Sequence, residues 1–503
     1  MSKLSMLICW AFVALALAVF ADPVRAQAIE ATIEVDTGSN PIARVQGRFS
    51  RDWTKNRRNF SLLRSVAGVD NLAARVSEVE LFDGDKNPIS FKKLADGEYL
   101  SEADIGHFSY KVALVAPKAR DAAAHVSWLS GDTGILMLAD LLPVTGTAWR
   151  SAKIRIGFPS TYRDPSIGPS PWPVFTTERE VDSAFTVSNI DDAMFYFGSD
   201  WVFPLRIPRP PIEMTISGVD WKFEADDAVA IGAEIYEAYS KTLGAPPRTK
   251  PLVAIAKFPQ QTAFGQWQAE TRGRNVTIIS SDMPFKQQSV QRLHEQLRHE
   301  LFHLWIPNGV NLTGAYDWFY EGFALYESLK LAVAVNRITF ADFLDTLSRA
   351  HTIDSANSQR VSLIQASANR FGGNKTQVYA RGMLVAFLVD LELMSRSKGK
   401  RSVEDVLKEL YAKHRKPAEP VDGNQAVLEL LKANAGVEPI VKRYVTGSEN
   451  IDWLNELAVA GISDSDPGPI TTLKVDEKLN GRQKTLLDKL GYNNWRKLAP
   501  SSK

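Results

Sequence analysis

Cysteine is nearly missing from this sequence. Among 503 residues only Cys9 carries a thiol, and it lies inside an apolar stretch from Met6 to Ala21. No disulfide framework can hold the chain, so its stability has to come from a buried core. An excess of charge is missing too. Lys and Arg number 59 against 58 Asp and Glu, and both signs are spread along the chain. Nothing in that balance favours a polyanion, and nucleic acid is not an expected partner. Beyond Met6 to Ala21 no apolar run approaches the roughly 20 residues of a membrane helix. There is no repeat of solenoid or propeller period and no low-complexity tract.

What is present begins with an export signal. Lys3 precedes the apolar stretch, and Val24-Arg25-Ala26 follows it with small residues suited to cleavage. Residues 1–26 therefore read as a signal peptide cut near Ala26, with an uncleaved anchor as the alternative. A periplasmic or secreted protein without disulfides and without a span after signal removal is expected. From Ala28 to about Ser217, short apolar runs are broken by Gly, Pro, Asn and Asp. Ile29 to Val35, Phe108 to Val115, Gly134 to Leu142 and Ile154 to Phe158 predict antiparallel strands. Pro159 to Pro173 reads as a loop, and Ile207-Pro208-Arg209-Pro210-Pro211 as a linker.

After the linker the pattern changes. A helix is predicted over 226–243, buried strands over 251–258 and 276–280, and helices over 287–305 and 318–335, the latter capped by Asp317. Further helices follow at 340–350, 377–394, 403–414, 425–434 and 453–459, and a last apolar helix lies near Leu486 to Leu490 in a solvated, partly packed tail.

The run His299-Glu300-Leu301-Phe302-His303 carries the chemistry. Residues four apart on a helix share a face, so both imidazoles can close on one metal, while Glu300, about 100° round, can reach a water bound to it. A chance H-E-x-x-H on an ordinary helix is the bland alternative. Glu321, in Trp318-Phe319-Tyr320-Glu321-Gly322-Phe323-Ala324, weighs against chance, because a catalytic zinc takes three protein ligands and keeps a fourth position open. One Zn2+ per chain on His299, His303 and Glu321 is expected. His294 lies five positions before His299, out of phase with any shared metal, and reads as helix surface.

These residues resemble the gluzincin metallopeptidases. Trp318 to Ala324 is similar to the W-x-x-E-G-F-A signature of the aminopeptidase N and leukotriene-hydrolase group. His-Glu-Leu-Phe-His-Leu-Trp at 299–305 more closely resembles the glycyl aminopeptidase family, many members of which carry a PDZ domain. That likeness continues through Tyr379 to Leu391, Ser402 to Leu407 and Tyr444 to Glu449. No PDZ domain is recognisable after Ile462. Seventeen residues, Leu304 to Tyr320, separate His303 from Glu321, against eighteen in the aminopeptidase N group, a difference that a loop can absorb.

The resemblance implies an α+β multidomain fold. Residues 27–217 would form an N-terminal antiparallel β-rich domain, 218–397 a thermolysin-like mixed catalytic domain, 398–462 an all-helical domain and 463–503 the tail. It implies hydrolysis of peptide substrates, with Glu300 as general base and Tyr379 as donor to the oxyanion, Tyr316 and Tyr320 being alternatives. No clean G-x-M-E-N or G-G-x-E-H element is present; the nearest stretch is Phe264 to Glu270. Glu270 reads either as an anchor for the substrate amine or as an exposed charge at a strand end, so amino- and endopeptidase action both stay open. A degenerate peptidase that only binds peptides or envelope partners is the second class, and the intact Glu300 counts against it.

Overall fold

The computed structural model describes residues 28–50, 57–131, 133–145, 151–157, 174–198, 200–201, 210–465 and 468–494. The expected signal segment, the Pro-rich stretch 159–173 and Ile207 to Arg209 of the linker lie outside the described residues.

Alternation builds the N-terminal half. In β1 (Ile29–Asp36) Ile29, Ile33 and Val35 are buried while Glu30 and Glu34 face out, the period of two that gives a strand one apolar face. With β2 (Ile42–Phe49), β3 (Val76–Phe82), β4 (His107–Ala113), β5 (Ala152–Gly157), β6 (Arg179–Val181) and β7 (Ala184–Val187) it forms a sheet ordered β6-β7-β5-β1-β2-β4-β3. Every pair is antiparallel except β1 with β5.

A second sheet, of the short strands Trp128–Ser130, Thr133–Met137, Val174–Phe175 and Met194–Phe197, forms a middle layer. Leu129, Leu136, Phe195 and Phe197 pack toward the first sheet. Trp128, Ile135, Met137, Met194 and Tyr196 pack the other way. Burial on both faces explains why these strands read as unbroken apolar runs. The run from Gly134 to Leu142 is not one strand, as expected, but a strand ending at Met137 and one helical turn, Leu138–Leu141.

The third sheet holds β8 (Glu213–Ile216), β9 (Leu252–Lys257), β10 (Trp267–Arg272) and β11 (Asn275–Ser280) in the order β8-β9-β11-β10. Its first three strands are parallel and β10 closes the edge antiparallel to β11. Leu252, Ala254, Ala256 and Ile279 meet the middle layer, while Val253, Ile255, Val276 and Ile278 enter the core of the helices. Those helices are α1 (Ala225–Thr242), α2 (Lys286–Phe302), α3 (Asp317–Ala334), α4 (Phe340–Ser355), α5 (Lys375–Ser397), α6 (Val403–His414), α7 (Gly423–Lys432) and α8 (Gly481–Lys489). One continuous core runs from Ile212 to Leu490, and α8 adds Leu486 and Leu487 to it. The architecture is α+β, with β sheets leading and helices closing the chain. No helix of the described residues is long and apolar enough to cross a membrane.

Candidate metal centre and cleft

Leu293, Leu297 and Leu301 recur every four residues and pin one face of α2 into the core, which turns His299 toward the adjacent cleft. The helix ends at Phe302, short of the expected Trp305, but His303 at its C-cap keeps helical angles (φ −65°, ψ −14°). The two imidazoles stay one turn apart. Their Nε2 atoms lie 3.3 Å from each other, and Glu321 Oε2, brought by the first turns of α3, lies 3.3 Å from His299 Nε2 and 3.5 Å from His303 Nε2. Each of the three residues is 6% exposed. A tetrahedral zinc with ligands at about 2.0–2.1 Å has ligand-to-ligand edges of about 3.3–3.4 Å. The observed triangle has that size.

Glu321 Oε2 is buried and has no hydrogen-bond partner, a costly state that a cation among the three relieves. His303 Nδ1 donates to the Ile306 carbonyl at 3.1 Å, which leaves the Nε2 lone pair free to bind metal. With no metal bound, burial disfavours the charged form of His303, but the Glu321 carboxylate outweighs it and raises the imidazole to about 9, so a metal at Nε2 would take the place of that proton. Burial would likewise raise Glu321, yet Arg370 and His303 hold it well below the usual carboxylate range. Two imidazoles, one carboxylate and an open side facing a cleft of about 870 Å³ fit a zinc ion.

Glu300 sits beside the triangle and outside it. Its Oε1 is 4.0 Å from His299 Nε2, and its Oε2 accepts from Thr271 Oγ1 at 2.7 Å. Burial pushes its carboxyl up, with His299 and His303 opposing. Thr271 belongs to β10, an edge strand absent from the sequence-based expectation. Asn308 fastens that strand to the turn that carries His303. It donates to the carbonyls of Thr271 at 3.0 Å and His303 at 3.1 Å and accepts from the Gly273 amide at 2.8 Å. Gly273, which turns β10 into β11, is the one local signal that a hairpin was present.

Glu270 is not an exposed charge at a strand end. It lies inside β10 and lines the cleft, and its carboxylate meets Arg272 Nε at 3.1 Å and His125 Nδ1 at 2.5 Å. Burial acts to raise it, but Arg272 and His125 bring it down to about 2. His125 comes from the N-terminal half, so both halves of the chain line the cleft.

Tyr379 reaches the same place through a helix crossing. On α3 a Cβ at Gly322 would lie 2.3 Å from the Gly382 carbonyl carbon on α5, so the two backbones touch. Tyr379, one turn before Gly382, is thereby set against Glu321. Arg370, which no motif signalled, binds Asp317 Oδ1 at 2.9 Å and Glu321 Oε1 at 2.8 Å and donates to the Tyr379 hydroxyl. Burial first, and the Glu321 charge second, push the Tyr379 hydroxyl well above its ordinary pKa. Of the two alternatives, Tyr320 lines the cleft. Tyr316 packs against Gly423 and Tyr320 away from the cleft lining.

His294 departs from expectation. It stays outside the metal triangle, but it is 1% exposed rather than on the helix surface. Its Nδ1 accepts from Arg298, and burial together with that cation brings its pKa down to about 3.

The sequence matches no family model and no curated protein. Solved structures do match. An aminopeptidase N family protein from Idiomarina loihiensis superposes with a TM-score of 0.72 at 16% identity, over 87% of this chain and 80% of that one. The fold is that of the aminopeptidase N family. An M1 zinc metallopeptidase from Deinococcus radiodurans, a point mutant bound to Tyr-Ser-Ala, covers 84% of this chain and 93% of its own with a TM-score of 0.53 at 14% identity. A two-domain M1 zinc metallopeptidase bound to L-tryptophan gives 0.52 at 14% identity, over 84% of this chain and 94% of that one. The aminopeptidase N fold thus spans most of this chain.

Proposed function

We propose that this chain is a zinc-dependent peptidase, exported and cut near Ala26, that hydrolyses peptides in the cleft between α2, α3 and β10. The observation that carries the reading is the triangle of His299 Nε2, His303 Nε2 and Glu321 Oε2, with edges of 3.3, 3.3 and 3.5 Å and the Glu300 carboxylate beside it. A bound zinc supplies a Lewis acid that acidifies water and polarises a carbonyl.

The rest is the work of the chain. Glu300, held by Thr271 and buried, takes the proton of the attacking water and delivers it to the departing amine. The Tyr379 hydroxyl donates to the oxygen of the scissile carbonyl as it gains charge, and Arg370 fixes that hydroxyl while neutralising the far oxygen of Glu321. Glu270, ionised inside the cleft, receives the substrate's free amine, which favours aminopeptidase action. Each of its oxygens has one protein partner and keeps a lone pair for the substrate.

The test is to incubate the metal-loaded mature protein with a diverse peptide mixture and map the cut sites by mass spectrometry. Cuts confined to the amino-terminal bond support this reading, internal cuts remove Glu270 from its role, and intact peptides leave the cleft a peptide-binding module.

A further inference from the structure

Arg298, next to the first proposed ligand, is a cation that this mechanism does not use. It is 5% exposed and lines the cleft, yet it pairs with no carboxylate of the described residues. Its Nε donates to Ser328 Oγ at 3.2 Å and one terminal nitrogen donates to the neutral imidazole of His294. Both acceptors are uncharged. Glu295, the carboxylate whose charge reaches it, is committed to Arg292 at 2.8 Å, and two further carboxylates that line the cleft are committed elsewhere, Asp345 to Arg349 and Asp342 to the cap of α4 at Thr339. Arg337, the other cation close by, is held by Glu234 at 3.0 Å. A buried guanidinium without a counter-charge is costly, and such groups persist where a ligand supplies the missing charge.

Its position suits a substrate. Ser328 follows Glu321 by seven residues on the same face of α3, roughly 10 Å along the helix. At about 3.4 Å per extended residue, the guanidinium is within reach of a group up to about three residues from the bond being cut. His294 and Ser328 fix the fork of the guanidinium, which suits it to the two oxygens of a carboxylate.

We propose that Arg298 is a specificity-determining residue that binds a carboxylate of the peptide, supplied by an acidic side chain or by the free C-terminus. The proposal rests on the peptidase reading for what occupies the cleft. The test compares peptides that differ only in Glu against Gln, or in a free against an amidated C-terminus. Their dissociation constants are measured by calorimetry on the zinc-loaded Glu300→Gln protein, and their cleavage on the unsubstituted protein.

The carboxylate-bearing peptide is expected to bind about tenfold tighter or more, and the pair that shows the difference identifies its source. Arg298→Gln should abolish the difference while leaving affinity for the neutral peptide unchanged. Arg298→Lys should keep only part of it and serves if the Gln variant does not fold. Equal constants for both members of both pairs in the Arg298 protein overturn the proposal without any Arg298 variant, and a difference that survives in folded Arg298→Gln does so as well. A carboxylate preference in binding with no cleavage of any peptide would remove the peptidase reading and leave Arg298 in place.

Discussion

Gly322→Ala tests the fold and the metal centre together. Gly322 lies in the interior of α3, where glycine costs roughly 0.5–1 kcal/mol against alanine, so helix propensity alone favours the substitution. Packing opposes it. The new Cβ would stand 2.3 Å from the carbonyl carbon and 2.4 Å from the Cα of Gly382, where ordinary contact begins near 3.4 Å. Both atoms are backbone and cannot rotate aside, so α3 and α5 must part by roughly 1 Å, and overpacking of this kind costs about 1–3 kcal/mol. The clash outweighs the propensity gain, for a net loss of about 1–2 kcal/mol and a fall of a few degrees in Tm. The parting also moves Glu321 relative to His299 and His303. Because metal-ligand distances hold to about 0.2 Å, zinc affinity should fall by about 10- to 100-fold. Thermal melting and competition with a chromogenic chelator measure the two effects, and Gly481→Ala, whose Cβ meets nothing within 4 Å, is the control. A Gly322→Ala protein with the melting temperature and zinc affinity of its parent would refute the argument that this crossing sets the site.

Glu300→Gln should retain about one zinc per chain by elemental analysis, since the ligand triangle is untouched, yet lose at least about two orders of magnitude in turnover. His303→Ala should not retain the metal. Tyr379→Phe should leave Tm and zinc content unchanged, because Arg370 keeps Asp317 and Glu321, while kcat falls by roughly a hundredfold. Near-native turnover in that variant would pass the oxyanion role to Tyr320. Away from the site, burial lifts the Glu327 carboxyl to about 8, with Lys330 opposing and Glu404 and Asp390 adding to the rise. A carboxyl raised in the folded state stabilises below its ordinary pKa and loses that contribution as pH climbs to about 8. The melting temperature should therefore decline across that window, and Glu327→Gln should flatten the decline; an unchanged slope would show that Glu327 is not the titrating group.

What the sequence made legible was chemistry held within single elements. The spacing of His299 and His303 is a property of one helix, and Glu321 stood out because its aromatic-rich surroundings marked a second helix. Arg370, Thr271, Asn308 and His125 were not legible, since each reaches the cleft only through the approach of separate elements. Trp267 to Arg272 hid for a related reason. Edge strand β10 presents no apolar run or clear alternation in hydrophobicity, because its polar side chains line the cleft, where Glu270 also meets His125 of the N-terminal half. The surface reading of His294 failed because helical phase describes one helix in isolation. Ser328 and Arg298 cover the face that phase alone assigned to solvent.

One inter-element contact did leave a trace in the sequence. Gly322 and Gly382 interrupt two long apolar helices, and each costs helix stability with no turn, cap or positive φ to require it. A glycine kept at such a cost inside a helix is accounted for by something that passes too close for a Cβ. Two of them, one directly after Glu321 and one a turn beyond Tyr379, therefore mark a close pairing of their helices in the sequence itself. That pairing alone brings Glu321 and Tyr379 to the same point of the cleft, and it makes the glycines, which have no chemistry of their own, the residues on which the alignment of these two side chains depends.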